Sequence, residues 1–535
     1  MDKRTILAFA LIFIIYWVSS QYIWKPKPVE PTILVEEVDV FVPETELESR
    51  VQERVRNLEE EEIVAINEAI ILENDKMAVS FTNRGALINQ VILKEFYYDD
   101  KFTNINLIPE NRELLQINFG NQVLWDVNNV SFNYELRENE LHFYKLDNSG
   151  IEISKIFRLL EDYVIDLSII ANNLPYINDY NISVLSGINI TEKNKAAMKD
   201  IGNSFKFVAQ IDREVKSISM SKLNRGEQSF NGMINWAAIR SKYFTISLVP
   251  ENRIMTQSVR TQRIGDTLGF DLYVRYNNRI TDMQDNYQIY IGPVDYDYLV
   301  LMGNGMEHIT ELGARWLRPL AKIFMIYIGF LHRFINNYGL VIILFALTLK
   351  IILTPLTNKG LRATKKMQLL QPLQREIQAK FKHDIKRQQQ ELQKLYKEHK
   401  VSPLGGCLPL LLQMPIFFAL YPILRYSIDF RQAHFFGWLV DLSEPDPYWI
   451  LPILMGIFMF IQQKMMQPKS DATSVLDEKQ AAMVQSQKMM MYIMPPFLVF
   501  IFSSLPAGLV LYWTTFNVFS IIQQYHLNKT EQGVK

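Results

Sequence analysis

Apolar and polar positions follow two different rhythms along this chain. Over residues 70–310 they alternate with period two, in MAVSFT (77–82), VSFNYEL (130–136), LHFYKL (141–146), IEISKIFRL (151–159), YVIDLSIIANN (163–173), YFTISLVP (243–250), GFDLYVRY (269–276) and NYQIYIGP (286–293). Turn residues such as NSG and NNLP separate these stretches. Alternation puts every second side chain on one face of a strand, so residues 70–310 are expected to form an all-β, antiparallel domain of sandwich type. Past this region the spacing becomes helical. Trp316, Leu320, Ile323, Phe324, Tyr327, Leu331 and Phe334 line one side of a helix predicted over 311–334, with Arg315, Arg318 and Lys322 on its polar side. Its uncharged core, Ile323–Leu331, is too short to span a bilayer. A helix lying along the membrane surface fits that pattern, the alternative being a helix packed on the β domain.

Long uncharged runs predict six transmembrane helices. The first is ILAFALIFIIYWVSSQYIW (6–24), about 28 Å long as a helix. Lys3 and Arg4 before it favour a cytoplasmic N-terminus for residues 1–5. A cleaved signal peptide ending near Val18-Ser19-Ser20 is the alternative, against which Tyr16, Trp17, Tyr22 and Trp24 read as interfacial anchors of an uncleaved helix. A proline-rich and then acidic linker follows over 25–69, with a helical tendency near Leu47–Leu58. The remaining spans are predicted at 338–356, 404–426, 448–466, 489–504 and 508–527, the last two separated by the break Leu505-Pro506-Ala507-Gly508.

Charge orients these spans. The 359–400 loop carries twelve Lys/Arg against four Asp/Glu, and the 427–447 loop one Arg against four acids. The positive-inside rule then places 359–400 in the cytoplasm, 427–447 and the β domain outside, and the tail 528–535 in the cytoplasm. Leu369, Leu370, Leu373, Ile377 and Phe381 form one apolar stripe in the basic loop, and Ile385, Leu392, Leu395 and Tyr396 another, with Lys382-His383-Asp384 between them. This pattern predicts a cytoplasmic helical hairpin. Its basic faces suit solvent, anionic lipid headgroups or ribosomal RNA; DNA is not an expected partner.

The overall formal charge of −1 on 535 residues adds nothing about partners. The single cysteine, Cys407, excludes an intramolecular disulfide. Seven scattered histidines offer no metal-ligand spacing, and HExxH, Walker A and GxSxG motifs are absent. GNGMEH (303–308) has two of the three glycines of a dinucleotide fingerprint and is set aside. The expectation is a protein that is not an enzyme, with no cofactor and no metal.

One charge interrupts the membrane pattern. Lys350 stands in LTLKIILTPLT (347–357), inside the span predicted at 338–356. A charge at the centre of a span costs about 2.5–3.5 kcal/mol. Lys350 either snorkels toward the cytoplasm or lines a wet cavity, with Pro355 expected to end the helix just below it. Gln413, Tyr512, Trp513, Thr514 and Asn517 are the other polar or amphipathic residues expected at comparable depth. Each alone reads as an interhelical hydrogen bonder or packing aromatic; together with Lys350 they could line one cavity. The methionine-rich stretches 465–467 and 488–494 read as core filling or as an adaptable apolar slide.

Taken in order, PLTNKGLRATKKMQLLQP (355–372), VSPLGGCLPLLLQMPIFFALYPIL (401–424), DPYWILPILMGIFMFIQQKM (446–465) and LPAGLVLYWTTFNVFSIIQQ (505–524) resemble the YidC membrane protein insertases. INWAAIRSKYFTISLVP (234–250) and YIGPVDYDY (290–298) extend a weaker likeness into the outer domain, as in the Gram-negative form. The resemblance implies a five-helix insertase core within 338–527, a periplasmic β-supersandwich and a bacterial inner-membrane location. It implies a hydrophilic groove open to cytoplasm and lipid, with Lys350 as its charge, Gln413 as a groove residue and Trp513 as a substrate-contacting aromatic. Nascent integral membrane proteins are the implied substrates, handled alone or with the Sec translocon. The family's groove charge is usually arginine, six residues before the PLT motif, whereas Lys350 stands five residues before Pro355 and lacks the planar fork of donors. A channel or transporter using Lys350 as an ion site, and an intramembrane enzyme, are the competing classes. Neither is supported by an inverted repeat, a second intramembrane charge or a deep His, Asp or Glu.

Overall fold

The computed structural model describes residues 69–98, 102–120, 125–192, 195–223, 226–251, 256–381, 384–399, 401, 408–466 and 492–532. The expected N-terminal anchor and linker, Cys407 and half of the methionine-rich stretches lie outside these residues. Two compact units emerge: a β unit of Ile63–Lys322 with Tyr421–Ala433, and a helical unit that includes Ile323–Leu420 and His434–Lys535.

The β unit holds antiparallel sheets of nine, five and four strands. Where the sequence alternates, burial alternates with it: along Val164–Asn172 every second residue is buried. Ile234–Arg240 and Phe244–Pro250 depart from that rule, being buried at every position. Both pair within the nine-stranded sheet, and covering a strand on two faces removes the need for a polar side. Phe81, Phe143 and Phe157 interlock at the centre of the core, with centroids 4.8–6.3 Å apart.

Two cations are fully enclosed by this core. The Lys155 ammonium donates to the carbonyls of Gly85, Ala86 and Leu115 at 2.8, 3.3 and 3.1 Å. Gly85 has φ +69°, and a Cβ there would meet the Asn128 carbonyl oxygen at 2.4 Å, so the turn that supplies the carbonyl requires glycine. The Arg240 guanidinium donates to the carbonyls of Ser241, Ile309 and Lys242 at 2.6–3.0 Å. Residues Tyr421–Ala433 are held in the same unit by ion pairs. Arg425 reaches Asp200 at 2.7 Å, a residue of helix α1 (Lys195–Ser204). Arg431 reaches Glu192 at 2.7 Å and the Tyr97 carbonyl at 2.8 Å. A short helix α2 (Tyr296–Leu301), capped by the Asp295 carboxylate, closes the strand region.

Helix α3 (Arg318–His332) leads into α4 (Tyr338–Leu369). Asn337 caps α4 by accepting from the Leu340 N–H at 3.1 Å, and Gly339 lets the Phe435 ring approach where a Cβ would sit 2.0 Å away. Pro355 does not end α4 as expected; the helix continues through it to Leu369. Proline removes only its own N–H bond to the preceding turn. The Thr354 hydroxyl donates to the Lys350 carbonyl at 2.7 Å and the Thr357 hydroxyl to that of Leu353 at 3.0 Å, so the turns around the proline stay bonded.

A hairpin follows, α5 (Gln371–Lys380) and α6 (Ile385–Glu398), its second helix capped by Asp384, which accepts from the Arg387 N–H at 2.9 Å. Leu370 and Leu395 are buried while Leu369 and Leu373 are exposed, so the apolar stripe is only partly used. Next come α7 (Leu408–Tyr426), α8 (Ile450–Met465), α9 (Tyr492–Phe502) and α10 (Ala507–Gln532). The start of α8 is fixed by the buried Asp446 carboxylate, which accepts from the N–H groups of Tyr448 and Leu451 at 3.0 and 2.7 Å. Among the described residues one helix, Tyr338–Leu369, is both long and apolar enough to cross a membrane by length and composition; Ile450–Met465 and Tyr492–Phe502 are shorter apolar helices. The structure therefore does not by itself establish six spans.

Candidate functional site

Helices α4 and α10 run side by side in the same direction. Contacts step down both together: Phe345 against Tyr512 at 6.1 Å, Lys350 against Phe516 and Ser520, and Thr357 against Gln523. On α10, residues 512, 516, 520 and 523 recur at three and four positions and so share one face.

Lys350 is buried at the middle of this seam, 6% exposed. Its ammonium donates to the Ser520 hydroxyl oxygen at 2.6 Å and lies 4.5 Å from the centre of the Phe516 ring. The Ser520 hydroxyl in turn donates to the Phe516 carbonyl at 2.8 Å, which fixes its rotamer and turns its lone pairs toward the ammonium. A hydrogen bond to a charged group contributes about 1.5–3 kcal/mol. A desolvated cation–π contact contributes about 2 kcal/mol. Together these offset the cost of about 2.5–3.5 kcal/mol for a charge at mid-span. One hydroxyl and one ring face suit a point charge better than a guanidinium fork, which is consistent with lysine at this position. The ammonium has three donors, and among the described residues no carboxylate pairs with it.

Gln413 of α7 joins the same cluster. Its amide donates to the Tyr512 hydroxyl at 2.5 Å, and the Tyr512 ring lies 6.1 Å from that of Phe516. The result is a continuous series Gln413–Tyr512–Phe516–Lys350–Ser520 across three helices. One turn further along, the Gln523 amide donates to the Thr357 hydroxyl at 3.0 Å and to the Asn358 amide oxygen at 2.7 Å.

The other expected residues take different places. Trp513 is half-buried and faces away from the seam, packing against Phe417 at 5.5 Å and Phe502 at 5.3 Å. Thr514 is buried, its hydroxyl donating to the Val510 carbonyl at 2.7 Å. Asn517 is buried, and its amide nitrogen has no hydrogen-bond partner. Phe516, Ser520, Thr357 and Gln523 are members of the cluster that sequence reasoning missed. Their helical spacing from Tyr512 and Lys350 was the available signal.

Comparison with known proteins agrees with this architecture. The family described as "60Kd inner membrane protein" matches residues 330–533, and that described as "YidC periplasmic domain" matches residues 69–327. The membrane protein insertase YidC of Syntrophus aciditrophicus is 30% identical over 564 residues, covering 99% of this chain and 100% of the relative. That of Chlorobium limicola is 31% identical over 577 residues, covering 99% and 95%. A solved active YidC insertase with its first transmembrane domain resolved covers 89% of this chain and 99% of its own, at 17% identity and a TM-score of 0.36. The sequence relatives span the whole chain and the two family regions meet where the β unit gives way to the helices. The chain therefore belongs to the YidC family of membrane protein insertases, inner-membrane proteins with a periplasmic domain that act as insertases and not as enzymes.

Proposed function

We propose that this protein inserts nascent integral membrane proteins through a hydrophilic groove whose positive charge is Lys350. The observation that carries the reading is the buried ammonium held by one hydroxyl and one ring face, with no carboxylate of its own among the described residues. An acidic residue in the flank of an incoming helix supplies the missing counter-charge. Gln413, Tyr512 and Ser520 form its polar side; Thr514, whose hydroxyl is bonded within its own helix, and Asn517 flank it on α10, and Trp513 offers an aromatic contact to the apolar part of the substrate. The unpartnered Asn517 amide is a further donor at that level.

The energy comes from the substrate. About 20 apolar residues gain several kcal/mol on entering lipid, since each Leu or Ile contributes a few tenths. The groove lowers the barrier for the polar flank. The short span predicted at 489–504 is only about 24 Å long as a helix, shorter than a bilayer core of about 30 Å, and favours local thinning that shortens the crossing.

In this reading the chain spans the membrane six times, at 6–24 and in the five core helices, with both termini and the 359–400 hairpin in the cytoplasm and residues 70–310 in the periplasm. Helix α3 lies along the outer membrane surface. The basic hairpin faces anionic lipid or the ribosome, and larger substrates are shared with the Sec translocon. Photocrosslinking to a stalled nascent chain tests the groove. Adducts are expected from positions 413, 513 and 520, and not from the lipid-facing Ile351, which is 64% exposed. Equal adducts from Ile351 would remove the groove from the account.

A further inference from the structure

A second cluster of cations precedes Lys350 in the chain, where the β unit passes into α3. A cavity of about 250 Å³ opens there, with Glu307, His308, Arg315, Arg318 and Lys322 in its lining. Arg318 and Lys322, four residues apart, share one face of α3, and Arg315 stands in the 3-10 turn Arg315–Leu317 that leads into it. Glu307, 3.8 Å from His308, is the carboxylate in the lining, and Glu214 acts on Arg315 from outside it. Arg315 and Arg318 make no ion pair among the described residues, and Lys322 rests 5.2 Å from the Tyr296 ring centre. The Thr310 hydroxyl on the wall is already engaged with the Glu307 carbonyl.

The surroundings of this cavity are apolar and uncovered. Trp316, between two of the cations, is 66% exposed, the position of an indole at headgroup level. Helix α3 buries Ala321, Phe324, Ile328 and Leu331, yet also exposes Ile323, Ile326 and Phe330, with Phe334 exposed in the turn that follows. Two guanidinium forks and an ammonium match a tetrahedral phosphate better than a planar carboxylate. An exposed apolar stripe beside them matches acyl chains.

We propose that this cavity binds the phosphate of an anionic phospholipid in the outer leaflet, with Arg315, Arg318 and Lys322 as its ligands. The proposal rests on the interfacial placement of α3 proposed above. A lipid seated there fixes the depth of α3 in the interface by a specific contact and not by apolar burial alone.

Native mass spectrometry of the full-length protein, released from micelles containing phosphatidylglycerol or phosphatidylcholine, tests it. Wild type is expected to retain one phosphatidylglycerol that phosphatidylcholine does not replace. Arg318→Glu, and independently Arg315→Gln with Lys322→Gln, should each lower its retention about tenfold or more, the scale of one lost charge-assisted hydrogen bond. Lys350→Ala should leave it unchanged. Equal retention by wild type and both variants overturns the proposal, as does displacement of the lipid by millimolar inorganic phosphate, which would make the site one for a soluble anion. A nitroxide at Ile326→Cys, in a Cys407→Ser background, separates the two readings. If it reports lipid while the variants keep phosphatidylglycerol, only the cavity assignment falls. If it reports water, the placement of α3 falls with it.

Discussion

Lys350 and Lys155 are both buried lysines, and their surroundings give them opposite meanings. Lys155 is enclosed by three backbone carbonyls inside the β core. Burial pulls its pKa down from 10.5 to about 7, with Glu113 opposing that shift. Between those values the unfolded chain holds a proton that the folded domain has released. Folding stability should therefore rise as pH increases from 7 toward 10, and Lys155→Met should lose that rise. Urea midpoints at pH 7 and pH 9 check the slope; parallel slopes for both proteins would contradict it. Lys350 is held by a single hydroxyl and a ring instead of a carbonyl cage. The charge itself was legible in the sequence because it broke an apolar run. Ser520 and Phe516 were not, because one hydroxyl and one phenyl ring inside a span look the same whether they hold a cation or fill a helix interface. Trp513 was legible as an aromatic at the right depth, but a single-residue step along α10 turns it about 100° from Tyr512, toward Phe417 and Phe502.

Elements were most legible where one period dominated. Alternation marked Val164–Asn172 because one face is buried; it overstated the two-faced character of Phe244–Pro250, which is covered on both sides. Pro355 was misleading for a local reason. Threonine hydroxyls on either side of it bond the preceding carbonyls, and α4 remains continuous from Lys350 to the basic residues near its end. A long-range feature had no local signal at all: Tyr421–Ala433, just after an apolar helix, packs within the β unit through Arg431 and Glu192, which are 3% and 7% exposed. Breaking a buried ion pair costs about 3–5 kcal/mol, because the remaining charge loses a desolvated partner. Arg431→Ala should therefore lower the unfolding midpoint of the β unit strongly, and Arg431→Leu with Glu192→Leu should recover most of the loss. Equal destabilisation by the single and double variants would show that packing, and not the lost ion pair, sets the cost.

At the scale of the whole molecule, family membership brings the β unit to the periplasm, and the loop charges propose the rest of the topology. The single cysteine makes that proposal easy to examine in a Cys407→Ser background. In intact cells an impermeant maleimide should label Asn148→Cys in the β unit, and should label His383→Cys in the hairpin only after permeabilisation; labelling of both in intact cells would invert the hairpin. The central claim is that a fixed positive charge between α4 and α10 captures acidic substrate flanks. The most direct measurement is a charge swap in an insertion assay with proteoliposomes. With Lys350→Glu, insertion of a substrate carrying an acidic flank should fall about tenfold or more, the scale of a like-charge contact replacing a favourable one. Reversing the flank to lysine should restore it on the variant and impair it on wild type. Insertion that is indifferent to flank charge on both proteins would contradict the account.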